Sequence, residues 1–382
     1  MKKKFIIFPL SIILLAIGVF AGMKIQNAVS DDKLNSQVKK YKDALEITSR
    51  YYVEDVDSQK LTEDAIKGML DGLDPHSVYI SAEQLKRVNE DFQGSFEGIG
   101  VEFDIVNDTL TIVSPISGGP SEKLGILAGD KIVKIDGQSS VKIARDDVPK
   151  KLKGPKGTKV NISVIRPGLT EPLEFEILRD KIPIYSVDAY FMYDDEIGYV
   201  KVSRFSATTY DEFMKALAEL KGKGMRKLVL DLRGDPGGFL DQAFKMASEF
   251  IPAGKKIVFT KSRINEFNED FVSQGGSYTD IPLIVLVNGG SASASEIVAG
   301  ALKDHGVAKL YGEKTFGKGS VQTLQEFDFG VLKITTAHWF TPNGTSIDKE
   351  GIKPDTEVKL TDEDFDANRD PQLEAALKAS QK

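Results

Sequence analysis

The sequence predicts a multidomain α/β protein with a helical lead, a β-rich module and a core of alternating strands and helices. Three observations carry this. The chain has 382 residues, enough for two or three domains. Hydrophobic residues make up 41% and charged residues 28%, the balance of a chain that folds around a real core. The apolar pattern also changes along the chain, from helical spacing to alternation after residue 92, and then to strand, turn and helix units after residue 182. The boundaries expected are 1–24 for a leader, 25–91 for a helical segment, 92–181 for the β-rich module, 182–360 for the core and 361–382 for a C-terminal tail.

Charge and cysteine content exclude several functions. Lys and Arg number 50 against 57 Asp and Glu, a net charge of −7, which argues against a general nucleic-acid binder. Cysteine is absent, so disulfides, thiol catalysis and cysteine-ligated metal are excluded.

The N-terminus carries Lys2, Lys3 and Lys4 before an apolar run from Phe5 to Met23. A charged n-region and a long h-region read as a signal peptide or a membrane anchor, with the anchor slightly favoured. The lysines favour the cytoplasmic side and put the rest of the chain outside, in the periplasm or at the cell surface. No cysteine follows the run, so a lipoprotein anchor is excluded.

From Asp31 to Glu90 the pattern is mostly helical. Val38, Tyr41, Leu45, Thr48 and Tyr52 share one face; Leu61, Ala65, Met69 and Leu70 share another. Gly72 and Asp74-Pro75 mark a helix end and a turn, and His76 reads as a structural residue of that turn. In the β-rich module two alternating runs flank Asn107-Asp108, a hairpin signal. A short helix, a strand, the turn Asp136-Gly137, a second helix, a Gly/Pro loop and the strand leading to Arg166 follow.

Within the core, Glu196 to Phe205 reads as a strand, Tyr210 to Leu220 as an amphipathic helix and Lys227 to Leu232 as a buried strand. Arg233 to Gly238 then form a glycine-rich turn ahead of a helix with Leu240, Ala243, Phe244 and Ala247 on one face. Ser262 to Thr279 reads as a polar loop near the substrate path, Val331 to Phe340 as a strand and Thr361 to Lys382 as a solvated tail or a dimer contact.

The chemistry concentrates between Leu286 and Gln322. A buried strand, Ile281 to Val287, runs into the turn Asn288-Gly289-Gly290. Ser291, Ser293 and Ser295 follow, where Ala294, Ile297, Val298, Ala301 and Leu302 begin a helical pattern. Unpaired N–H groups at a helix start suit a developing oxyanion. A serine needs a base, and none of His76, His305 and His338 falls in a triad or metal pattern. Lys318, set between Gly317 and Gly319, is the alternative, because a desolvated lysine can act as a neutral base.

SASASEIVAGALKD followed by GEKTFGKGSVQ resembles the carboxy-terminal processing peptidases, tail-specific serine proteases with a Ser-Lys dyad. The resemblance implies Ser293 as nucleophile, Lys318 as general base and Gln322 as the residue that orients it. Asp304 matches a recurrent aspartate of less settled role. DLRGDPGG matches the family's DLRxNPGG, with Asp235 in place of the asparagine. It implies an oxyanion site from Gly237 or Gly238 together with Ala294. The β-rich module is similar to a circularly arranged PDZ domain, which implies that Gly98, Ile99, Gly100 and Val101 form the loop that clasps a C-terminal carboxylate. Arg166 matches an arginine that in some members reaches the catalytic domain, a candidate regulatory contact. GLDPHS and the GIKPD ending fit the same family, so the resemblance runs from about Asp31 to Leu360.

The implied fold is a protease core of the crotonase-like, tail-specific type with an inserted PDZ domain and N-terminal helices. The implied function is a serine endopeptidase acting on proteins and peptides with exposed apolar C-termini, membrane-associated through its leader, homodimeric through its helices, and needing no cofactor or metal. The rival readings are a non-catalytic PDZ scaffold and a nucleotide binder. The second rests on Gly312 to Lys318, which mimics a phosphate loop but has Gly319 where Ser or Thr is required. No GxSxG surrounds any of the three serines.

Overall fold

In the computed structural model, residues 33–81, 84–85 and 93–381 are described; the lysine cluster and apolar run of the expected leader lie outside them. The chain forms two compact units, residues 1–79 and 80–382.

In the first unit, helix α1 covers residues 33–51 and α2 covers Ser58–Asp71. Asp57 caps α2 by accepting the Lys60 N–H, and Asp74 closes the following turn by accepting from the N–H groups of His76 and Ser77. Val38, Tyr41 and Tyr52 remain largely exposed. A short strand, β1 (Val78–Ser81), ends the lead, which the helical pattern did not predict.

In the second unit, β2 (Ser95–Gly98) pairs with β9 (Asp180–Pro183) at the neck of the β-rich module. The module itself is β3 (Val101–Val106), β4 (Thr109–Pro115), α3 (Pro120–Lys123), β5 (Lys131–Ile135), β6 (Gln138–Ser139), α4 (Val148–Leu152), β7 (Lys159–Ile165) and β8 (Leu173–Leu178). Its sheet runs in the order β3, β4, β5, β7, β8, which leaves β3 on an edge. Asn107 and Asp108 both have positive φ (50° and 56°), the backbone a two-residue hairpin turn requires. Leu110, Ile112, Ile132, Val160, Ile162 and Val164 fill the core of the module.

The protease-like core holds β10 (Val187–Met192), β11 (Ile197–Val202), α5 (Thr209–Gly222), β12 (Lys227–Asp231), α6 (Leu240–Ser248), β13 (Lys256–Lys261), β14 (Asp270–Val272), β15 (Leu283–Val287), α7 (Ala294–Asp304), β16 (Ala308–Gly312), β17 (Ser320–Phe327), β18 (Gly330–Phe340), β19 (Thr356–Glu357), α8 (Asp362–Asp366) and α9 (Pro371–Ser380). Strands β11, β12, β15, β16 and β19 are parallel neighbours, with β10 antiparallel on one edge. Alternation divides their side chains. Val200, Leu230, Val285 and Val287 pack with α5, α6 and α7, whereas Tyr199, Val229, Ile284 and Leu286 pack with Ala376 and Leu377 of α9.

That second packing corrects the expected solvated tail. Ala376 is fully buried because α9 covers the otherwise open face of the sheet. The expected polar loop 262–279 is likewise a hairpin in part, since β14 pairs with β13.

Candidate active site

Two turns leave the carboxyl ends of the neighbouring strands β12 and β15, where open α/β sheets place their sites. The turns are laced together. Ser291 Oγ donates to Leu232 O at 2.8 Å, Gly234 N–H to Asn288 Oδ1 at 2.9 Å, and Ala292 N–H to Asp235 O at 2.9 Å. Contact is closest at Gly237, whose φ is 93°. A Cβ there would lie 2.7 Å from Ala292 O, 2.8 Å from Ala294 N and 2.9 Å from Ser293 Cβ, so only glycine fits.

The three serines have different environments. Ser291 and Ser295 are fully buried, and both hydroxyls are spent on carbonyls, of Leu232 and Asp235. Ser293 is half-buried, and its hydroxyl donates to no acceptor among the described residues, while its oxygen faces the Glu296 N–H in a capping box. It holds φ 55° and ψ −111°, a conformation a side-chain-bearing residue seldom adopts. The strained corner lifts its Cβ over Gly237 at the head of α7. The Ala294 and Gly238 N–H groups have no hydrogen-bond partner among the described residues, whereas the Gly237 N–H is taken by Asp235 Oδ1 at 2.7 Å. Of the two glycines expected as oxyanion donors, only Gly238 therefore has a free N–H.

Sequence reasoning missed the residue that joins the serine turn to the lysine loop. Glu296, fully buried on the first turn of α7, accepts four hydrogen bonds. Its Oε2 takes the Ser293 N–H at 2.8 Å and the Lys318 N–H at 2.9 Å. Its Oε1 takes the Thr315 hydroxyl at 2.6 Å and the Gly317 N–H at 2.7 Å. One carboxyl group thus fixes the backbones of Ser293 and Lys318 relative to each other. Gly317 (φ 90°) and Gly319 give the loop its shape: a Cβ on Gly319 would overlap the Asp348 backbone. The Lys318 amine has no hydrogen-bond partner among the described residues and is half-buried. Lys333 on β18 faces it closely enough that burial, and then the charge of Lys318, push the Lys333 amine below the usual lysine range.

Gln322 and Arg166 hold partners other than those the resemblance implies, and Asp304, whose role the sequence leaves open, has one of its own. Gln322 is not on Lys318; its amide donates to Ser320 Oγ at 2.9 Å and Thr335 Oγ1 at 3.2 Å, beside a bulge at Val321/Gln322. Asp304 lies at the far end of α7 and accepts the Asn343 N–H at 2.9 Å, holding the turn after β18. Arg166 neither reaches the core nor lies free in solvent. It grips the fully buried Asp130 through Nε at 2.8 Å and Nη2 at 2.7 Å, and also donates to Gly125 O. Burial alone would raise the Asp130 carboxyl, but Arg166 and the Leu127 N–H outweigh it and hold it below the usual carboxylate range. In the β-rich module Ile99 is buried, Gly100 has φ 74°, and the N–H groups of both have no partner among the described residues. They sit at the head of the edge strand β3.

Beneath the glycine turn, Arg233 is sandwiched between carboxylates. It pairs with Asp231 at 2.6 Å and with Asp370, the N-cap of α9, at 2.8 Å, while Tyr199 donates to Asp231 at 2.7 Å.

Known proteins decide what this assembly is. A model of peptidase family S41 matches residues 196–358, a PDZ domain model matches 98–177, and a model of the N-terminal domain of the activating protease CtpB matches 14–84. A carboxy-terminal-processing protease of Bartonella bacilliformis is 39% identical over 360 residues, spanning 91% of this chain and 82% of the relative. The chain belongs to peptidase family S41. It is a C-terminal-processing serine protease with a PDZ domain and an α/β core. The carboxy-terminal processing protease CtpA of Bacillus subtilis is 40% identical over 337 residues, covering 88% of this chain and 71% of its own. A solved S41 protease from Bacteroides fragilis, 19% identical, shares the fold with a TM-score of 0.50 over 88% of this chain and 96% of its own.

Proposed function

We propose that Ser293 is the nucleophile of this S41 protease, Lys318 its general base, and the N–H groups of Gly238 and Ala294 its oxyanion donors. The observation that carries the assignment is the contrast among the serines. Of the three, Ser293 alone combines a hydroxyl proton that is not donated to a carbonyl, partial exposure and a strained positive-φ corner between two free N–H groups. Its Oγ attacks the scissile carbonyl carbon while the unprotonated Lys318 amine takes the hydroxyl proton. The carbonyl oxygen, now anionic, sits between the two N–H groups. Collapse of the intermediate expels the amine product, which takes its proton from Lys318, and water then releases the acyl group with Lys318 again as base. Glu296 keeps the two partners in register. Gln322 acts at one remove, through Ser320 at the start of β17.

The PDZ domain selects the substrate. The free N–H groups of Ile99 and Gly100 suit a terminal carboxylate, and the edge strand β3 suits an extended peptide that ends in an apolar side chain. The N-terminal apolar run tethers the enzyme to a membrane with its catalytic core outside the cytoplasm. The exposed Val38 and Tyr41 on α1 supply a homodimer contact.

The test is hydrolysis of a peptide with a free apolar C-terminus. Ser293→Ala and Lys318→Arg should be inactive, whereas Ser291→Ala and Ser295→Ala, which remove bracing hydroxyls, should keep measurable turnover. A Ser293→Ala enzyme that cleaves at the wild-type rate overturns the assignment. Comparison of protein C-termini in cells with and without that variant would then identify the substrates.

A further inference from the structure

Asp235 takes no part in the chemistry above, yet it is fully buried against the reacting turn. It touches both turns of the site. Its Oδ1 accepts the Gly237 N–H at 2.7 Å, and its carbonyl accepts the Ala292 N–H at 2.9 Å and the Ser295 hydroxyl at 3.0 Å. Its Oδ2 is buried with no hydrogen-bond partner among the described residues. An anion with one bare oxygen in such a pocket is far more costly than the neutral acid.

The charged neighbours do not change this. Lys201 on β11 and Arg204 just after it favour the anion, as do the Gly237 N–H and Ser295, but burial outweighs all of them and pushes the carboxyl up to about 7. On the β12 side, Asp231 and Arg233 are paired with each other and with Asp370. On α7, Glu296 is saturated by its four donors.

We propose that Asp235 is a positioning residue that works as the neutral carboxylic acid, tying down the Gly237 N–H so that the Gly238 N–H stays open, and keeping negative charge away from the oxyanion. The proposal rests on the assignment of Ser293 and its oxyanion donors. Loss of the Asp235 proton sets an anion beside a forming anion. At an effective dielectric of about 20 and a separation of several ångströms, that slows the reaction by ~10-fold to 10²-fold. The asparagine that DLRxNPGG carries at this position is the permanently neutral isostere.

Two measurements test this. The first is kcat/KM from pH 5 to 10 for wild type, Asp235→Asn and Asp235→Ala. As pH rises through the range where Asp235 loses its proton, wild-type kcat/KM should fall away from that of Asp235→Asn. The rate of Asp235→Asn relative to wild type should climb at least ~10-fold between pH 6 and 9. Asp235→Ala, which leaves the Gly237 N–H without its acceptor, should be slower at every pH. A constant Asp235→Asn to wild-type ratio across pH overturns the proposal. The second is the infrared signal of a protonated carboxyl, compared between Ser293→Ala and Ser293→Ala/Asp235→Asn chains at pH 5.5. The band should be present in the first and missing in the second, and its absence from both overturns the proposal. This readout needs no turnover, so it separates a failure of the Asp235 proposal from a failure of the Ser293 assignment.

Discussion

Replacing Glu296 by glutamine asks how much of the site depends on one carboxyl. Glutamine keeps the shape but offers one acceptor oxygen where four donors converge. If that oxygen faces Thr315 and Gly317, the amide NH₂ meets the N–H groups of Ser293 and Lys318, donor against donor. Two hydrogen bonds are lost in that orientation; in the other the Thr315 hydroxyl can turn to accept from the NH₂, and the Gly317 N–H loses its acceptor. Each bond to a charged acceptor is worth ~1.5–3 kcal/mol, so losing one or two removes about 1.5–6 kcal/mol. The effect should appear twice. Melting should fall by on the order of 10 °C. Turnover at a temperature where the variant is folded should fall by ~10²-fold, because one side of the clasp between the serine turn and the lysine loop is released in either orientation and a shift of about 1 Å has that effect. Calorimetry gives the first quantity and peptide hydrolysis the second. Binding of a C-terminal peptide to the PDZ domain should not change, which separates misalignment from a general loss of structure. A Glu296→Gln enzyme that melts with wild type and turns over at the wild-type rate would refute the role of this carboxyl.

Three further outcomes follow from other buried charges. In the unfolded chain Asp235 loses its proton near 3.8, and in the fold it keeps it to about 7. Between those values the folded state binds the extra proton, so stability falls as pH rises. Asp235→Asn should therefore match wild type in urea unfolding near pH 4 and exceed it at pH 8, by at most about 4 kcal/mol. Burial opposes the Asp370 anion, but the Arg233 guanidinium and the Leu373 N–H hold its carboxyl below the usual range. Its contribution is present at neutral pH and is lost as acid protonates it, so Asp370→Ala should speed hydrogen exchange across α9 at pH 7 more than at low pH. Arg166→Ala leaves Asp130 buried without its guanidinium, and the PDZ domain should lose stability, read as faster exchange in β4 and β5. Unchanged exchange there would mean that Asp130 finds another partner.

The parts of this fold that speak locally were legible in the sequence. Asn107-Asp108 announced its hairpin, and the serine turn announced the head of α7. The Gly317-Lys318-Gly319 loop stood out because its glycines serve one tight conformation. What stayed hidden is made by distance. Ser293 and Glu296 are a capping-box pair in pattern, S-x-x-E, and that signal was available; nothing local shows that the same carboxyl also holds Thr315, Gly317 and Lys318. Strand β17 has an exposed outer half in which the apolar Leu324 and Phe327 fall three apart, so it lacks the alternation that marks a strand. Helix α9 offered only Leu373, Ala376 and Leu377 at helical spacing within a polar stretch, too little to reveal that it closes one face of the sheet. Arg166 and Gln322 were placed by resemblance, and their actual partners, Asp130, Ser320 and Thr335, are choices of tertiary packing.

The clasp between Arg233 and Asp370 spans 137 positions of sequence. Ribosomes deliver residues in order, so the DLR turn emerges long before its second carboxylate. Until α9 arrives, Tyr199, Val229, Ile284 and Leu286 have no cover and Arg233 has only half its counter-charge. The glycine turn proposed to receive the substrate carbonyl is built directly on that arginine. A nascent chain can thus carry its nucleophile and lysine while the floor beneath them is still unfinished. Completion of the far C-terminal segment is therefore the step that finishes the floor beneath the two turns.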